Sequence, residues 1–341
     1  MLEHGGNLRD AVRHFGRPFE DWIDLSTGIN PHFYPAPQLT DHAWHRLPEY
    51  SDALVAGAQN YYRAPQMLAV AGTQAAIQAL PRLRGDLSGL SEVTVSAPSY
   101  AEHAHQWRKA GHLVSECSYD ALEEATLSAD VVVLCNPNNP TGASIAPDVL
   151  LRWAAQLANR GGWLVVDEAF GDTVPALGVA AHTQEPGLIV LRSVGKFFGL
   201  AGIRLGFVAA PTALLQRLAD FLGPWAISGP AQQIAIAALH DQEWQQQTAL
   251  RLQQEGQRLR LLLTANGMPS SGTDLFQWCS HASLGGQTDA LWQFMAEQGI
   301  WLRRFAEAEN RPHGLRFGLP GSDQAWVRLQ QAFDDWRAVN P

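Results

Sequence analysis

Short apolar runs, each closed by a cluster of turn formers, recur through the first two thirds of the chain. Residues 68–71, 93–96, 131–135, 163–166 and 188–191 read as buried strands, and residues 205–209 as another. Between them, helical spacing predicts helices through Leu54, Ala58, Tyr61 and Tyr62, over residues 75–80 up to Pro81, and after Tyr100 as far as Gly111. Strands alternating with helices from 68 to 210 predict a mainly parallel sheet wrapped by helices. The last third reads differently. A long helical region (230–266, with Leu250, Leu252, Leu259 and Leu263 on one side) leads to a strand at 275–279 and a helix at 288–299. Strands at 300–305 and 314–318 and a helix at 322–336 complete a smaller α+β domain. Residues 1–45 show little periodicity and many breakers, including Gly5, Gly6, Pro18, Pro31, Pro35 and Pro37, so an extended arm is expected there. The expected organisation is an arm (1–45), a large domain (46–229) and a small C-terminal domain (230–341).

Length and composition narrow the class. The 341 residues suffice for about two domains, and 46% hydrophobic with 17% charged residues is the make-up of a globular protein. A net charge of -9 argues against nucleic acid or an anionic membrane as partner. Three dispersed cysteines, Cys117, Cys135 and Cys279, suggest a reducing compartment and show no metal-ligand spacing. With no signal-like N-terminus and no run of membrane-spanning length, a cytoplasmic location is expected.

The chemistry concentrates in the turns after the strands. Lys196 follows the 188–191 strand in Ser193-Val-Gly-Lys196-Phe-Phe-Gly, and it is one of only two lysines against 22 arginines. A lysine amine can lose its proton when buried and attack a carbonyl, whereas arginine cannot. Ser193 and Arg204 beside it are residue types that bind phosphate. Gly72-Thr73-Gln74 lies between a strand and a helix start, where free N–H groups suit an anion, although Thr73 fits a plain N-cap equally. Tyr100 stands at another strand-to-helix junction, the usual place for ligand contacts in α/β folds, and a core aromatic is the competing reading. Asn136-Pro-Asn-Asn139-Pro-Thr-Gly142 is too dense in turn formers to be anything but a fixed loop. Asp167 closes a buried strand, which is costly unless the carboxylate meets a cation.

Taken together, Ser193-x-x-Lys196 with Arg204 resembles the lysine motif of pyridoxal-phosphate (PLP) enzymes of fold type I, the class I/II aminotransferase superfamily. The resemblance runs over nearly the whole chain. It implies an α/β fold with a large PLP-binding domain and a small α+β domain. It further implies that Lys196 takes the cofactor aldehyde and Asp167 the ring nitrogen. Gly72, Thr73, Gln74, Ser193 and Arg204 would hold the phosphate, Tyr100 would cover the ring face, and Asn139 would bond the phenolic oxygen. Arg316, in Leu-Arg-Phe-Gly, resembles the arginine that clamps the substrate carboxylate. Phe170 departs from the pattern, standing where many members carry a tyrosine. Two branches are similar: histidinol-phosphate aminotransferase and the threonine-phosphate decarboxylase of cobalamin biosynthesis. His4-Gly-Gly-Asn7, Thr27-Gly-Ile-Asn30-Pro31, Asp167-Glu-Ala-Phe170 and Gly223-Pro-Trp225 resemble the second. That branch implies decarboxylation of L-threonine O-3-phosphate, with His4, Asn30 and Arg303 helping to bind substrate. It also implies a homodimer to which Tyr50 contributes across subunits. A non-catalytic PLP-binding regulator is the reading from another class, and the chain has no spare length for the basic module such proteins carry.

Overall fold

The computed structural model describes residues 5–306 and 313–340. Among these, seven strands form one sheet in the order Met67–Val70, Gly206–Ala209, Leu188–Ser193, Trp163–Asp167, Val131–Cys135, Glu92–Ser96, Leu113–Cys117. All neighbours pair parallel except Gly206–Ala209, which runs antiparallel to both of its neighbours. The central strands Val131–Cys135, Trp163–Asp167 and Leu188–Ser193 are buried at every position, which is why they read as unbroken apolar runs. Because these strands are parallel, Ser96, Cys135, Asp167 and Ser193 all finish at one edge of the sheet, and the turns that follow them gather there.

The chain divides into two compact units, one drawn from Phe33–Asn139 and Ala143–Gln247, the other from Met1–His32, Pro140–Gly142 and Thr248–Pro341. The unit boundaries therefore fall near residues 32 and 247, whereas the sequence suggested 45 and 229. The physical reason lies in what residues 33–45 bond to. Tyr34 N bonds to Phe198 O at 2.9 Å, and Thr40 Oγ1 accepts from Gln233 Nε2 at 2.7 Å. These contacts bind residues 33–45 to the large sheet's unit. The second unit holds a five-stranded sheet in the order Ile23–Leu25, Ile300–Phe305, Gly314–Gly318, Phe276–Ser280, Ser271–Thr273.

Three expectations need correction. The helix expected to stop at Pro81 runs from Thr73 to Ser88 with the proline inside it. A mid-helix proline costs about 3 kcal/mol, while burying Leu80 and Leu83 returns about 1.5–3 kcal/mol each. Core packing therefore wins. The long region at 230–266 is two helices, Gly229–His240 and Gln242–Ala265, parted at Asp241. Within the second, Leu252, Leu259 and Leu263 are buried and Leu250 is exposed. The N-terminal arm is not merely extended. It contains the helix Leu8–Phe15 and the strand Ile23–Leu25, and Leu8, Ala11, Val12 and Phe15 pack with Trp22, Ala296 and Trp301.

Candidate active site

A cavity of about 170 Å³ opens where the parallel strands end, lined by Gly72, Thr73, Gln74, Tyr100, Asn139, Asp167, Phe170, Ser193, Lys196 and Arg204 among others. They arrive from several separate turns, those after residues 70, 96, 135, 167 and 193. Gly72 ends the turn after Met67–Val70 with φ +71°, and the Thr73–Ser88 helix starts at once, leaving its first N–H groups without intrahelical partners. Only glycine suits position 72. The φ is left-handed, and a Cβ there would stand 2.6 Å from Arg204 Nη2. Arg204 itself is left-handed (φ +55°) and bonds Ala201 O through Nη1 at 3.1 Å, which holds its guanidinium over the helix start. Ser193 Oγ accepts from Gly195 N at 3.1 Å, pinning the turn that carries Lys196. The half-buried Lys196 places Nζ 5.2 Å from the ring centroid of Phe170.

The asparagine-rich loop divides its labour. Asn136 brackets Ile145, its Nδ2 donating to Ile145 O at 3.1 Å and its Oδ1 accepting from Ile145 N at 2.8 Å. Asn138 Nδ2 donates to Pro98 O at 2.8 Å. Asn139 is the member that lines the cavity.

Asp167 is buried and held at both oxygens, Oδ1 by Ala169 N at 3.0 Å and Oδ2 by His103 Nε2 at 2.9 Å. Burial opposes charge on His103, yet its hydrogen bonds and charge interactions with Asp167 and Cys135 outweigh this and push its pKa up to about 10. The cation that a strand-end carboxylate requires is thus supplied from within the chain. Nothing in the sequence marked His103 over its neighbour His105, but it lies three residues after Tyr100, one helical turn on. His103, Cys135 and Asp167 bring three potential ligand atoms within 4.8 Å of one another. Cys135 Sγ also accepts from Ser99 Oγ at 3.2 Å.

Next to this pair lies a second buried network the sequence did not reveal. Arg192 donates to Glu168 Oε2 at 2.6 Å and Asp172 Oδ1 at 3.2 Å, and its guanidinium sits 4.4 Å from the Tyr62 ring centroid. Burial raises the pKa of both carboxyls against the pull of Arg192. Since Glu168 follows Asp167 and Arg192 precedes Ser193, the network ties the two turns together.

The other unit holds the remaining candidates. Arg316 and Arg303 are cross-strand partners. Arg316 is buried, donates to Ser26 O, and has its pKa pushed down to about 9 by burial first and Arg303 second, with Asp24 opposing. Two guanidiniums held side by side favour an anion. The buried Asn30 accepts from His32 N at 2.8 Å through Oδ1, so this atom closes a turn. Ser26 Oγ accepts from Gly6 N at 2.7 Å, and a Cβ on Gly5 would fall 2.3 Å from Ser26 O, which accounts for the glycine pair. His4 lies outside the described residues.

The cavity meets the requirements of pyridoxal phosphate. It offers an amine, a carboxylate held by His103, a helix N-terminus with Ser193 and Arg204 for a phosphate, and a tyrosine face. The profile of the aminotransferase class I and II family matches residues 20–329. The chain belongs to that family. The chain is 49% identical to a threonine-phosphate decarboxylase from Pseudomonas aeruginosa over 97% of both chains. It is 42% identical to a Sinorhizobium protein of the same name, again over 97% of both. Among solved structures, the L-threonine-O-3-phosphate decarboxylase of Porphyromonas gingivalis aligns with TM-score 0.72 at 18% identity, covering 99% of this chain and 98% of that one. At that identity the likeness speaks for the fold of this aminotransferase-family chain, which is fold type I.

Proposed function

We propose that this protein is a PLP-dependent carboxy-lyase converting L-threonine O-3-phosphate to (R)-1-amino-2-propanol O-2-phosphate, a step of cobalamin biosynthesis. The observation that carries the reading is 49% identity across 97% of both chains to a threonine-phosphate decarboxylase, joined to a cavity whose donors match PLP.

When bound, PLP supplies an aldehyde carbon for amines and a protonated ring that accepts the electron pair left by a departing carboxylate. The rest is done by the chain. Lys196 Nζ would hold the cofactor by its aldehyde until the substrate amine takes that place. Asp167, backed by His103, would keep the proton on the ring nitrogen. At an effective dielectric of about 20, opposite charges ~4 Å apart interact by roughly 4 kcal/mol, or about three pKa units. Ser193, Arg204 and the N–H groups at Thr73 and Gln74 would hold the cofactor phosphate, Tyr100 would cover the ring, and Asn139 would bond the phenolic oxygen. The face of Phe170 near Lys196 favours the ammonium form of the released amine. That form would be the proton donor to the substrate Cα. A transaminase needs the same amine as a base first.

Arg316 is assigned to the substrate carboxylate. Arg303, Asn30 and His4 are assigned to the substrate phosphate, since two adjacent guanidiniums suit a substrate carrying two anionic groups. The expected location is cytoplasmic, and no described helix is long and apolar enough to cross a membrane. A homodimer is expected. Trp44, Leu47, Tyr50 and Trp225 are each more than 60% exposed on segments flanking the Gly229–His240 helix, an apolar surface suited to a second copy.

The test is reaction type. L-Threonine O-3-phosphate alone should release carbon dioxide without any keto-acid acceptor. Brisk glutamate formation from histidinol phosphate and 2-oxoglutarate, with no carbon dioxide from the threonine ester, would hand the protein to the aminotransferase reading.

A further inference from the structure

Tyr100 does not stand on stacking alone. Its hydroxyl donates to Gln74 Oε1 at 3.3 Å, Gln74 Nε2 donates to Glu102 Oε2 at 2.8 Å, and Gln106 Nε2 donates to the same oxygen at 2.9 Å. From these contacts we infer that Gln74 and Glu102 are positioning residues that set the tilt of the Tyr100 ring over the cofactor.

The direction of the relay follows from what each group can do. Glu102 is buried at 8% exposure in the first turn of the Glu102–Lys109 helix, where the helix dipole and two amide donors stabilise its negative charge. An ionised carboxylate only accepts. The NH2 of Gln74 must therefore face Glu102, and its carbonyl oxygen must face Tyr100. Tyr100 is then obliged to donate. Burial first, and Glu102 next, push the Tyr100 pKa up to about 12, so the phenol keeps its proton through the working range. On the ring's flank, His103 meets Tyr100 edge-on, with centroids 6.0 Å apart and planes at 84°. The ring is thereby fixed at two places, by a hydroxyl tied to the phosphate end of the cavity and by an edge contact to the residue that holds Asp167.

Gln74 thus has a side-chain role separate from the backbone N–H it presents to the phosphate. A leucine at 74 keeps the N–H and loses the relay. A phenylalanine at 100 keeps the stacking face and loses the relay from the other end.

The inference rests on the cofactor reading above, and the experiment separates the two. PLP is titrated into apoprotein of wild type, Gln74→Leu, Tyr100→Phe and the double variant, following the dissociation constant and the circular dichroism of the bound-cofactor band. Without the relay the ring must be ordered on binding, which corresponds to about a threefold to tenfold larger dissociation constant. Each single variant should show it, the double variant should be no worse than the weaker single, and all three should share one altered dichroism. Urea midpoints of the apoproteins report folding. Should Gln74→Leu fail to fold, Tyr100→Phe, which deletes one oxygen, together with Glu102→Gln carries the dichroism comparison. Losses that multiply in the double variant, or a Gln74→Leu protein with wild-type affinity and dichroism, would overturn the relay. Failure of wild type to bind PLP at all would instead remove the cofactor reading.

Discussion

His103 Nε2 donates to Asp167 Oδ2 at 2.9 Å, and both side chains are buried at the end of the central strands. The pair solves a problem that exists before any cofactor binds. A lone carboxylate there would have to be protonated or would destabilise the fold. With His103 behind it and Ala169 N on its other oxygen, the Asp167 carboxyl is held in the cavity lining.

Asp167→Asn should therefore keep part of its cofactor but lose activity by about two to three orders of magnitude, because a neutral amide forfeits roughly the three pKa units that hold the ring proton. Steady-state decarboxylation alongside the bound-cofactor spectrum measures this. A variant within a few-fold of wild type would rule out the electron-sink role.

The same pair gives a pH dependence with a definite sign. The His103 pKa is raised in the folded protein, to about 10, from an ordinary value of 6.5. Its contribution to stability is fully present below about 6.5 and is lost as pH rises through the folded value. Urea unfolding of apoprotein should show wild type losing its advantage over His103→Gln between pH 6 and pH 10. An advantage that grew with pH would contradict the charged pair.

Lys196 is the expected point of covalent attachment. Borohydride reduction of the yellow holoprotein should fix the cofactor to the peptide containing Lys196, and Lys196→Ala should abolish both the linkage and turnover. Mass spectrometry of the digest distinguishes this from labelling of Lys109, the other lysine of the chain, which would sink the assignment.

How much of this could be read beforehand depended on burial. Val131–Cys135, Trp163–Asp167 and Leu188–Ser193 are covered on both faces, so their apolar runs announced strands, and the residues ending them line the cavity. Leu113–Cys117 went unread because it is an edge strand whose residues are largely exposed, Leu113 at 68%. The Leu8–Phe15 helix carries apolar residues at spacings of three and four, but glycines and prolines on either side obscured it. His103 and Glu102 were beyond sequence reasoning for a different cause. Their partners, Asp167 and Gln74, lie 64 and 28 residues away and meet them only once sheet and helices have packed.

Arg192 shows what such long-range partners are worth. It lies between Glu168 and Asp172 at 2.6 and 3.2 Å, all three fully enclosed. Replacing it with methionine would leave two buried carboxylates facing each other without a cation, a change costing about 3–5 kcal/mol. Both carboxyls already have raised pKa values, burial being the first cause, and removing Arg192 takes away the main force opposing that rise. In the folded variant they would hold protons that the unfolded chain releases, so stability must fall as pH rises. The deficit of Arg192→Met should accordingly be largest at neutral pH and above, and should shrink on acidification. Adding Glu168→Gln and Asp172→Asn should recover much of it at neutral pH, because neutral amides need no counter-charge. Denaturant unfolding of the apoproteins across pH decides the matter. A deficit that stays flat with pH, or a triple variant no better than the single, would mean that Arg192 acts through packing against Tyr62 and not through charge.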